Sequence, residues 1–236
     1  MARGAQGLKI WKDFGLHVRD QHGILVRVDD IRLDSLWGTV DELRLPVMIH
    51  VAYPVAFFDP LNETNERWDE LNAHPERQFP SPQFPSFISI MEDFARLVTR
   101  FQNLKFIAAH VGCYAENLEW GGALLQRCPN LYVDISARIS ELGRQPYSSK
   151  RFIERFSDRV LFGIDCGPDL DAYRTYCRFL ETQDEYFNYS NDVVPRRGRW
   201  QIYGLNLPAA VLENIYYNNA AKLFCRSKNT SQNISR

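Results

Sequence analysis

The sequence predicts an α/β fold built on a parallel β-sheet, and two regular features of its 236 residues carry that prediction. Short apolar runs, typical of strands buried on both faces, alternate with segments of helical periodicity. Strands and helices that alternate in this way form right-handed βαβ crossovers in a parallel sheet. Several runs also end at polar residues, which in such sheets lie where ligands and catalytic groups collect.

Five core strands are predicted along the chain, with helices in most of the intervals. The strand candidates read, in order, GLKIW, LPVMIH, LKFIAAH, LYVDI and RVLFGID, and GILVRV is a candidate for one more strand. Helices are expected at residues 34–44, 86–100, 115–127, 149–156, 170–182 and 209–224. Residues 51–85 form a long loop rich in proline and aromatic residues, which favours an ordered lid over disorder.

The composition argues against a nucleic-acid or membrane surface. The net charge is −1, and no apolar run approaches the roughly 18 residues that a membrane span needs. The N-terminus lacks the apolar centre of a secretory signal. The five cysteines show no paired spacing, which favours reduced thiols and a cytoplasmic location. The expected partner is a small-molecule substrate, and assembly into a homo-oligomer stays open.

Three predicted strands end at residues that bind metals: His50, His110 and Asp165. In a parallel barrel the carboxyl ends of the strands converge over one mouth, so distant residues can meet there. Two imidazoles and a carboxylate suit Zn²⁺, and they also suit Mn²⁺ or Fe²⁺. Such an ion lowers the pKa of a bound water to about 7. The pattern therefore predicts one metal-dependent site assembled from three parts of the chain.

Structural interpretations compete with the functional one at each position. A lone histidine at a strand end is often a hydrogen-bonded structural residue, and Asp165 in the sequence IDCG could cap a turn. Asp134, in LYVDI, is open between a hydrogen-bonded turn carboxylate and a substrate contact. Lys9, in GLKIW, needs a partner if it is buried, and lining the site is one alternative.

Several blocks of the sequence resemble the amidohydrolase-related metal-dependent hydrolases of the second subfamily, the group that includes aminocarboxymuconate-semialdehyde decarboxylase. The blocks are IHVAYPVAFFDP, FIAAHVGCYAENLEW, YVDISARI and LFGIDCGP, and the terminal IYYNNAAKLF is similar to the helix that closes the family's barrel. The resemblance covers nearly the whole chain. It implies a distorted (β/α)₈ barrel of the TIM type, in which GLKIW is the fourth strand and RVLFGID the eighth.

The resemblance also implies roles for individual residues. His50 matches the fifth-strand metal ligand, and His110 matches a sixth-strand histidine that acts on the metal-bound water. Asp165 matches the eighth-strand aspartate, a metal ligand or a catalytic partner of the water. The substrate-binding candidates are Arg138, Tyr114 and Lys9, and Arg144 and Arg199 are further candidates to pair with a substrate carboxylate.

One departure from the family pattern is plain. The family's first strand carries a His-x-His pair of metal ligands, and this sequence contains no such pair. We therefore expect an N-terminally truncated barrel with strands four to eight. Residues 1–226 are expected to form this barrel portion, and 227–236 a polar tail.

Three functions follow as alternatives. The first is hydrolysis of a small organic substrate by a metal-activated water, with Zn²⁺ as the first expectation for the metal. The second is metal-dependent, non-oxidative decarboxylation on the same scaffold. The third is a catalytically inactive fragment or a binding module.

Overall fold

The computed structural model describes residues 4–225, and a single parallel sheet of five strands organises them. The predicted polar tail lies outside the described residues. The strands are β1 Leu8–Ile10, β2 Val47–Ile49, β3 Phe106–Ala108, β4 Leu131–Asp134 and β5 Val160–Leu161. Their order in the sheet is their order in the chain. In a doubly wound sheet the order of the strands reverses at a switch point. Here each strand lies beside the next one in the chain, as strands do in a barrel.

Helices occur in every predicted interval, and two more, Trp68–Ala73 inside the expected loop 51–85 and Ile139–Gly143, occur where none was predicted. The helices are α1 Asp34–Glu42, α2 Trp68–Ala73, α3 Phe87–Arg100, α4 Leu118–Arg127, α5 Ile139–Gly143, α6 Pro146–Arg155, α7 Leu170–Glu181, α8 Ala209–Glu213 and α9 Asn219–Phe224, with a π-helical segment at Asn214–Asn218 between the last two. Within residues 4–225, none of these helices has the length and apolar character needed to cross a membrane.

Local chemistry explains where the predicted boundaries moved. Asn117 delays the start of α4, because its side-chain oxygen accepts a hydrogen bond from the Trp120 amide at 3.0 Å and so caps the helix. Pro146 brings the start of α6 forward, since proline is well tolerated at the first helical position. The candidate strand GILVRV contributes only an isolated antiparallel bridge between Arg19 and Leu25.

The two faces of the sheet differ in character. One row of neighbouring side chains crosses β1 to β4 on one face and comprises Lys9, Met48, Ile107 and Tyr132. Successive side chains of a strand point to opposite faces, so the alternate residues lie on the other face, where they belong to the hydrophobic core. Lys9 in this row is exposed, so the face that carries the row is the less completely covered face of the sheet.

The C-terminal helical segment spans from β5 to β1. The Phe162 amide donates a hydrogen bond to the Ile215 carbonyl at 3.0 Å, and the Asn219 side chain donates to the Val160 carbonyl at 2.7 Å. At the other end, a Cβ placed on Gly7 would lie 3.7 Å from the Phe224 ring. The segment therefore covers part of the face that the row of Lys9 occupies.

The long loop after β2 is packed around aromatic side chains. Phe57 and Phe79 are almost fully buried, and the loop's rings stack on one another and reach Phe87 of α3. A buried ion pair between Arg67 of the loop and Glu141 of α5 fastens the loop across the strand ends. The loop predicted to be ordered is therefore ordered, and its buried side chains join the main hydrophobic core.

Candidate active site at the strand ends

The three residues predicted to form a site at the strand ends, His50, His110 and Asp165, come together in the structure. The imidazole rings of His50 and His110 meet edge to face, with centroids 4.5 Å apart. Nε2 of His110 lies 3.8 Å from Oδ2 of Asp165. Each residue leaves its strand at the same end of a parallel sheet, which is why they converge.

The backbone is strained at three successive exits of the sheet. His110 after β3, Ala137 after β4 and Asp165 after β5 have φ values of 62°, 53° and 59°. A non-glycine residue in this left-handed region costs roughly 1–2 kcal/mol. Strained residues of this kind cluster at active sites and ligand clamps, so the strain marks the mouth of the sheet as a candidate active site.

The His110 exit is the most unusual of the three. His110, Val111, Gly112 and Cys113 are all left-handed, with φ between 55° and 65°. The side chains of His110, Val111 and Cys113 are buried, and the Cys113 amide donates a hydrogen bond to the His110 carbonyl at 2.9 Å. This tight turn redirects the chain immediately after the imidazole is placed.

Asp134 holds the backbone of that turn. Its Oδ1 accepts a hydrogen bond from the His110 amide at 3.0 Å and another from the Ser136 amide at 3.0 Å. Of its two interpretations, the structure supports the hydrogen-bonded turn carboxylate. The ring of His110 is anchored from the same segment, because Nδ1 lies 2.8 Å from the Ser136 carbonyl oxygen.

Both histidines are held in the neutral form. Burial, with His110 next in importance, lowers the pKa of His50 to about 2. Burial and the nearby Arg138 guanidinium lower the pKa of His110 below its usual range, against the opposing effect of Asp134. A neutral imidazole keeps one nitrogen lone pair, which can bind a metal or accept a proton.

A cavity of about 320 Å³ opens over these residues, with His50, His110 and Asp165 in its wall. Such a volume is at the small end of ligand-binding cavities. Four cationic side chains also line it, Lys12, Arg77, Arg138 and Arg197, against two carboxylates, Glu70 and Asp165. Glu70 is already paired with Arg67 and Arg77, which leaves the cavity with a positive character.

The structure places the three predicted substrate-binding residues in different surroundings. Arg138 lines the cavity and is buried. Lys9 lines a second cavity of about 280 Å³ on the less covered face of the sheet, which also reaches His110 and Asp165. Tyr114 packs against Phe87 at 4.8 Å and is among the lining residues of neither cavity.

The two further arginines that the sequence suggested also lie outside these cavities. Arg144 pairs with Glu66 at 2.7 Å and lies over the Trp200 ring. Arg199 makes a double contact with Asp69, with both nitrogen–oxygen distances at 2.6 Å. Their charges are therefore used in holding loops together.

Lys12 and Arg77 were missed by sequence reasoning, and Arg197 was noted only as part of a short basic cluster at 196–199, which is either a local anion contact or a solvated loop. Lys12 follows β1 by two residues, so the rule that identified His50 could have found it. Its ammonium lies 3.8 Å from the centre of the Tyr53 ring and 4.8 Å from that of Trp11. Arg77 and Arg197 come from loops, and no local pattern indicates that those loops reach the mouth.

The donors at this mouth match a metal centre only in part. Neutral imidazoles and a carboxylate are ligand types that Zn²⁺ accepts. Among residues 4–225, however, no three His, Cys, Asp or Glu side chains are grouped so that they could hold a metal ion. Catalytic zinc sites use about three protein ligands, so the described residues offer fewer than a metal centre needs.

Solved structures that resemble this chain share its barrel fold. They include an uncharacterised TIM-barrel protein from Bordetella bronchiseptica, with 16% identity and a TM-score of 0.55 over 92% of this chain and 57% of that one. A dihydroxybenzoic acid decarboxylase from Polaromonas sp. JS666, with bound manganese and 2-nitroresorcinol, has 18% identity and a TM-score of 0.50, covering 88% and 58%. The 2,6-dihydroxybenzoate decarboxylase from Rhizobium has 16% identity and a TM-score of 0.50, covering 88% and 59%.

These similarities establish the fold: the chain is a portion of a TIM barrel, with five parallel strands and their helices. The chain spans about 57–62% of the length of the first structures it matches. No curated protein matches the sequence significantly. The family model described as Amidohydrolase matches residues 3–226. Because that match covers nearly all of the 236 residues, the chain belongs to the amidohydrolase family.

Proposed function

We propose that this chain carries part of a metal-dependent hydrolase site of the amidohydrolase type, acting on a small organic substrate. The observation that supports it is the convergence of His50, His110 and Asp165 at one strained, positively charged mouth. His50 and Asp165 are the proposed ligands of a divalent metal. The chemistry that such an ion supplies is an activated water of lowered pKa.

In this proposal the chain's own residues bind the substrate and move a proton. His110, neutral and anchored through Nδ1, accepts or returns a proton at Nε2, which faces Asp165 across 3.8 Å. Lys12, Arg138 and Arg197 attract an anionic group of the substrate, since charge-assisted hydrogen bonds are the strong ones. The lid loop excludes bulk water from the mouth and so strengthens these interactions.

The identity of the metal is also part of the proposal. Zn²⁺ suits the imidazole and carboxylate donors, and Mn²⁺ and Fe²⁺ are alternatives. The Polaromonas decarboxylase, similar in fold, is described with bound manganese. Because the described residues contain no complete ligand group, we propose that another polypeptide segment supplies the remaining ligands. A cytoplasmic setting agrees with the five cysteines, all of which are free.

The second candidate function is non-oxidative decarboxylation, a lyase reaction at the same site. The positive cavity favours it, because a decarboxylase must bind a carboxylate. Two proteins of similar fold are described as dihydroxybenzoate decarboxylases. Product analysis separates the two reactions. On a panel of lactones, amides and aromatic acids in ¹⁸O-water, a hydrolase places the label in its organic product, whereas a decarboxylase releases CO₂ and leaves its organic product unlabelled.

Metal binding tests the site itself. Purified protein, freed of metal with a chelator, would be titrated with Zn²⁺ or Mn²⁺ in a calorimeter. We expect His50→Ala and Asp165→Ala to weaken binding at least tenfold, while the control His22→Ala, at an exposed loop residue, leaves it unchanged. Failure of the unmodified protein to bind either ion, with no activity on the panel, would instead support an inactive fragment or a binding module.

A further inference from the structure

We propose that Asp134 and Ser136 are positioning residues that hold the imidazole of His110 in a single tautomer, with the proton on Nδ1 and the lone pair of Nε2 directed toward Asp165. The inference depends on the proposed function only for the use made of that lone pair. The tautomer itself follows from a count of protons among three buried side chains.

Asp134 is the acceptor in three hydrogen bonds. Its Oδ1 accepts hydrogen bonds from the His110 amide and the Ser136 amide, each at 3.0 Å, and a short one from the Ser136 hydroxyl. A serine hydroxyl has one proton to donate. Because that proton is directed to the carboxylate, the Ser136 oxygen has only lone pairs left for other neighbours.

Both neighbours of His110 Nδ1 are therefore acceptors. The Ser136 carbonyl oxygen lies 2.8 Å away, and the Ser136 hydroxyl oxygen lies 3.0 Å away. A carbonyl oxygen cannot donate, and the hydroxyl has already donated its proton to Asp134. Nδ1 can only satisfy these contacts by carrying a proton of its own.

The proton on Nδ1 determines the state of Nε2, the other nitrogen of the His110 ring. A neutral imidazole has one N–H, so with the proton on Nδ1 the Nε2 atom presents a lone pair. The Nε2 atom lies 3.8 Å from Oδ2 of Asp165. A separation of 3.8 Å is too long for a direct hydrogen bond, so Nε2 can accept a proton from a donor placed between the two side chains.

Burial makes this assignment firm. His110, Asp134 and Ser136 are each no more than 6% exposed, so water cannot readily replace one of their mutual hydrogen bonds. The left-handed turn that follows His110 also prevents the backbone from adjusting freely. Hydrogen bonds to the second nitrogen of a histidine are the general way in which proteins fix its tautomer.

Nuclear magnetic resonance tests the tautomer without reference to activity. In protein labelled with ¹⁵N in its histidine rings, a long-range ¹H–¹⁵N spectrum at pH 8 distinguishes the protonated from the bare nitrogen. We expect His110 to show a protonated Nδ1 and a bare Nε2. A wild-type spectrum with the proton on Nε2 would overturn the proposal without any substitution.

Three variants then separate the two positioning residues. In Asp134→Ala the Ser136 hydroxyl is free to donate to Nδ1, so we expect the Nε2–H population to rise several-fold to about tenfold, the factor that one net hydrogen bond represents. In Ser136→Ala the carbonyl remains the only partner, and the Nδ1–H form should persist. The double variant should return to the Nδ1–H form, because it has no hydroxyl to donate.

The outcomes are distinct from those of the metal test. A folded Asp134→Ala variant with the wild-type tautomer would show that the carbonyl alone determines it, and the proposal would fail. Addition of Zn²⁺ to wild-type protein should shift the Nε2 resonance if the proposed function holds. An Nδ1–H tautomer without any response to Zn²⁺ would keep this inference and count against the metal site.

Discussion

The imidazole of His50, at the exit of β2, contacts the imidazole of His110, at the exit of β3, with ring centroids 4.5 Å apart. Each ring is neutral because burial disfavours the charged form, and at His50 the neighbouring ring adds to the effect. A protonated His50 would face another imidazole together with Lys12 and Arg138. The pair is therefore sensitive to acid.

The first prediction concerns that sensitivity in metal-free protein. The pKa of His50 falls from 6.5 to about 2 on folding, so the unfolded chain binds the proton more readily. Stability from neutral His50 is present above about pH 6.5 and is lost as the pH falls toward its folded pKa. We expect His50→Gln to gain stability relative to the wild type between pH 7 and pH 5, measured by urea unfolding. The prediction would be wrong if the difference in stability between His50→Gln and the wild type stayed the same from pH 7 to pH 5. The exposed residue His22 provides the control, His22→Gln.

The second prediction concerns Glu116, whose contribution to stability is lost as the pH rises and not as it falls. Burial raises the pKa of Glu116 from 4.5 to about 7, with Glu141 adding to the effect, and within the described residues neither carboxylate oxygen has a hydrogen-bond partner. Stability from protonated Glu116 is fully present below about pH 4.5 and is lost as the pH rises through 7. Glu116→Gln should therefore stabilise the protein by roughly 1–3 kcal/mol at pH 8 and much less at pH 5.

Urea unfolding at the two pH values checks this. The matched control is Glu119→Gln on the exposed side of the same segment, for which no such difference between pH values is expected. Equal effects of the two substitutions at pH 8 would show that Glu116 is solvated.

The third prediction concerns the ion pair that fastens the lid. Arg67 and Glu141 have side chains only 2% and 0% exposed. Removing one partner leaves a buried charge, so Arg67→Met should lower the free energy of unfolding by about 3–5 kcal/mol. The double variant Arg67→Met/Glu141→Gln should cost less than the sum of the single variants. Arg77→Met, which breaks a partly exposed pair with Glu70, should cost less than about 1 kcal/mol.

The fourth prediction tests the strained exit after β4. Ala137 has a φ of 53°, and glycine at that position removes the strain at the cost of one methyl group and some chain entropy. We expect Ala137→Gly to change the free energy of unfolding by less than about 1 kcal/mol. Ala108→Gly, in β3 and equally buried, should destabilise by about 1–2 kcal/mol, since it relieves no strain. Similar losses in both variants would argue against the strained conformation.

The fifth prediction concerns anion binding. The ammonium of Lys12 is held over the rings of Trp11 and Tyr53 at the edge of the cavity. Lys12→Met should weaken binding of a probe carboxylate such as benzoate about tenfold or more, which is the effect of losing a hydrogen bond to a charged group. Calorimetry measures this, and Lys105→Met, at an exposed position away from the cavity, is the control. Equal affinities of the two variants would remove Lys12 from the substrate site.

The strand-end residues could be predicted because they are local features. His50, His110 and Asp165 each close an apolar run, and parallel strands present their carboxyl ends on one side. Tyr114 was also predicted to bind substrate, but it lines neither cavity. It follows His110 closely in sequence, but the left-handed turn through Cys113 redirects the chain, and its ring packs against Phe87.

Only part of the charged wall of the cavity was open to local reasoning: Arg138 was predicted, and Lys12 lies just after a strand. Arg77 and Arg197 reach it from two loops whose paths depend on distant packing, including the buried contact of Arg67 with Glu141. The same applies to Ser136, because its role depends on contacts of its carbonyl and hydroxyl oxygens with His110, a residue of another strand exit. Hydrogen-bond partners that come from different strands leave no periodic trace in a sequence.

The sequence by itself determined the alternation of strands and helices, the parallel sheet and the residue types at its mouth, because periodicity and turn chemistry act within a few residues. Only the tertiary structure decided which of those residues meet, which are neutral and which exits are strained. Ring contacts, burial and hydrogen-bond direction arise between segments far apart in the chain, where long-range packing sets the geometry. The proposed tautomer of His110 belongs to this second group, since it depends on Asp134 and Ser136 of the neighbouring strand exit.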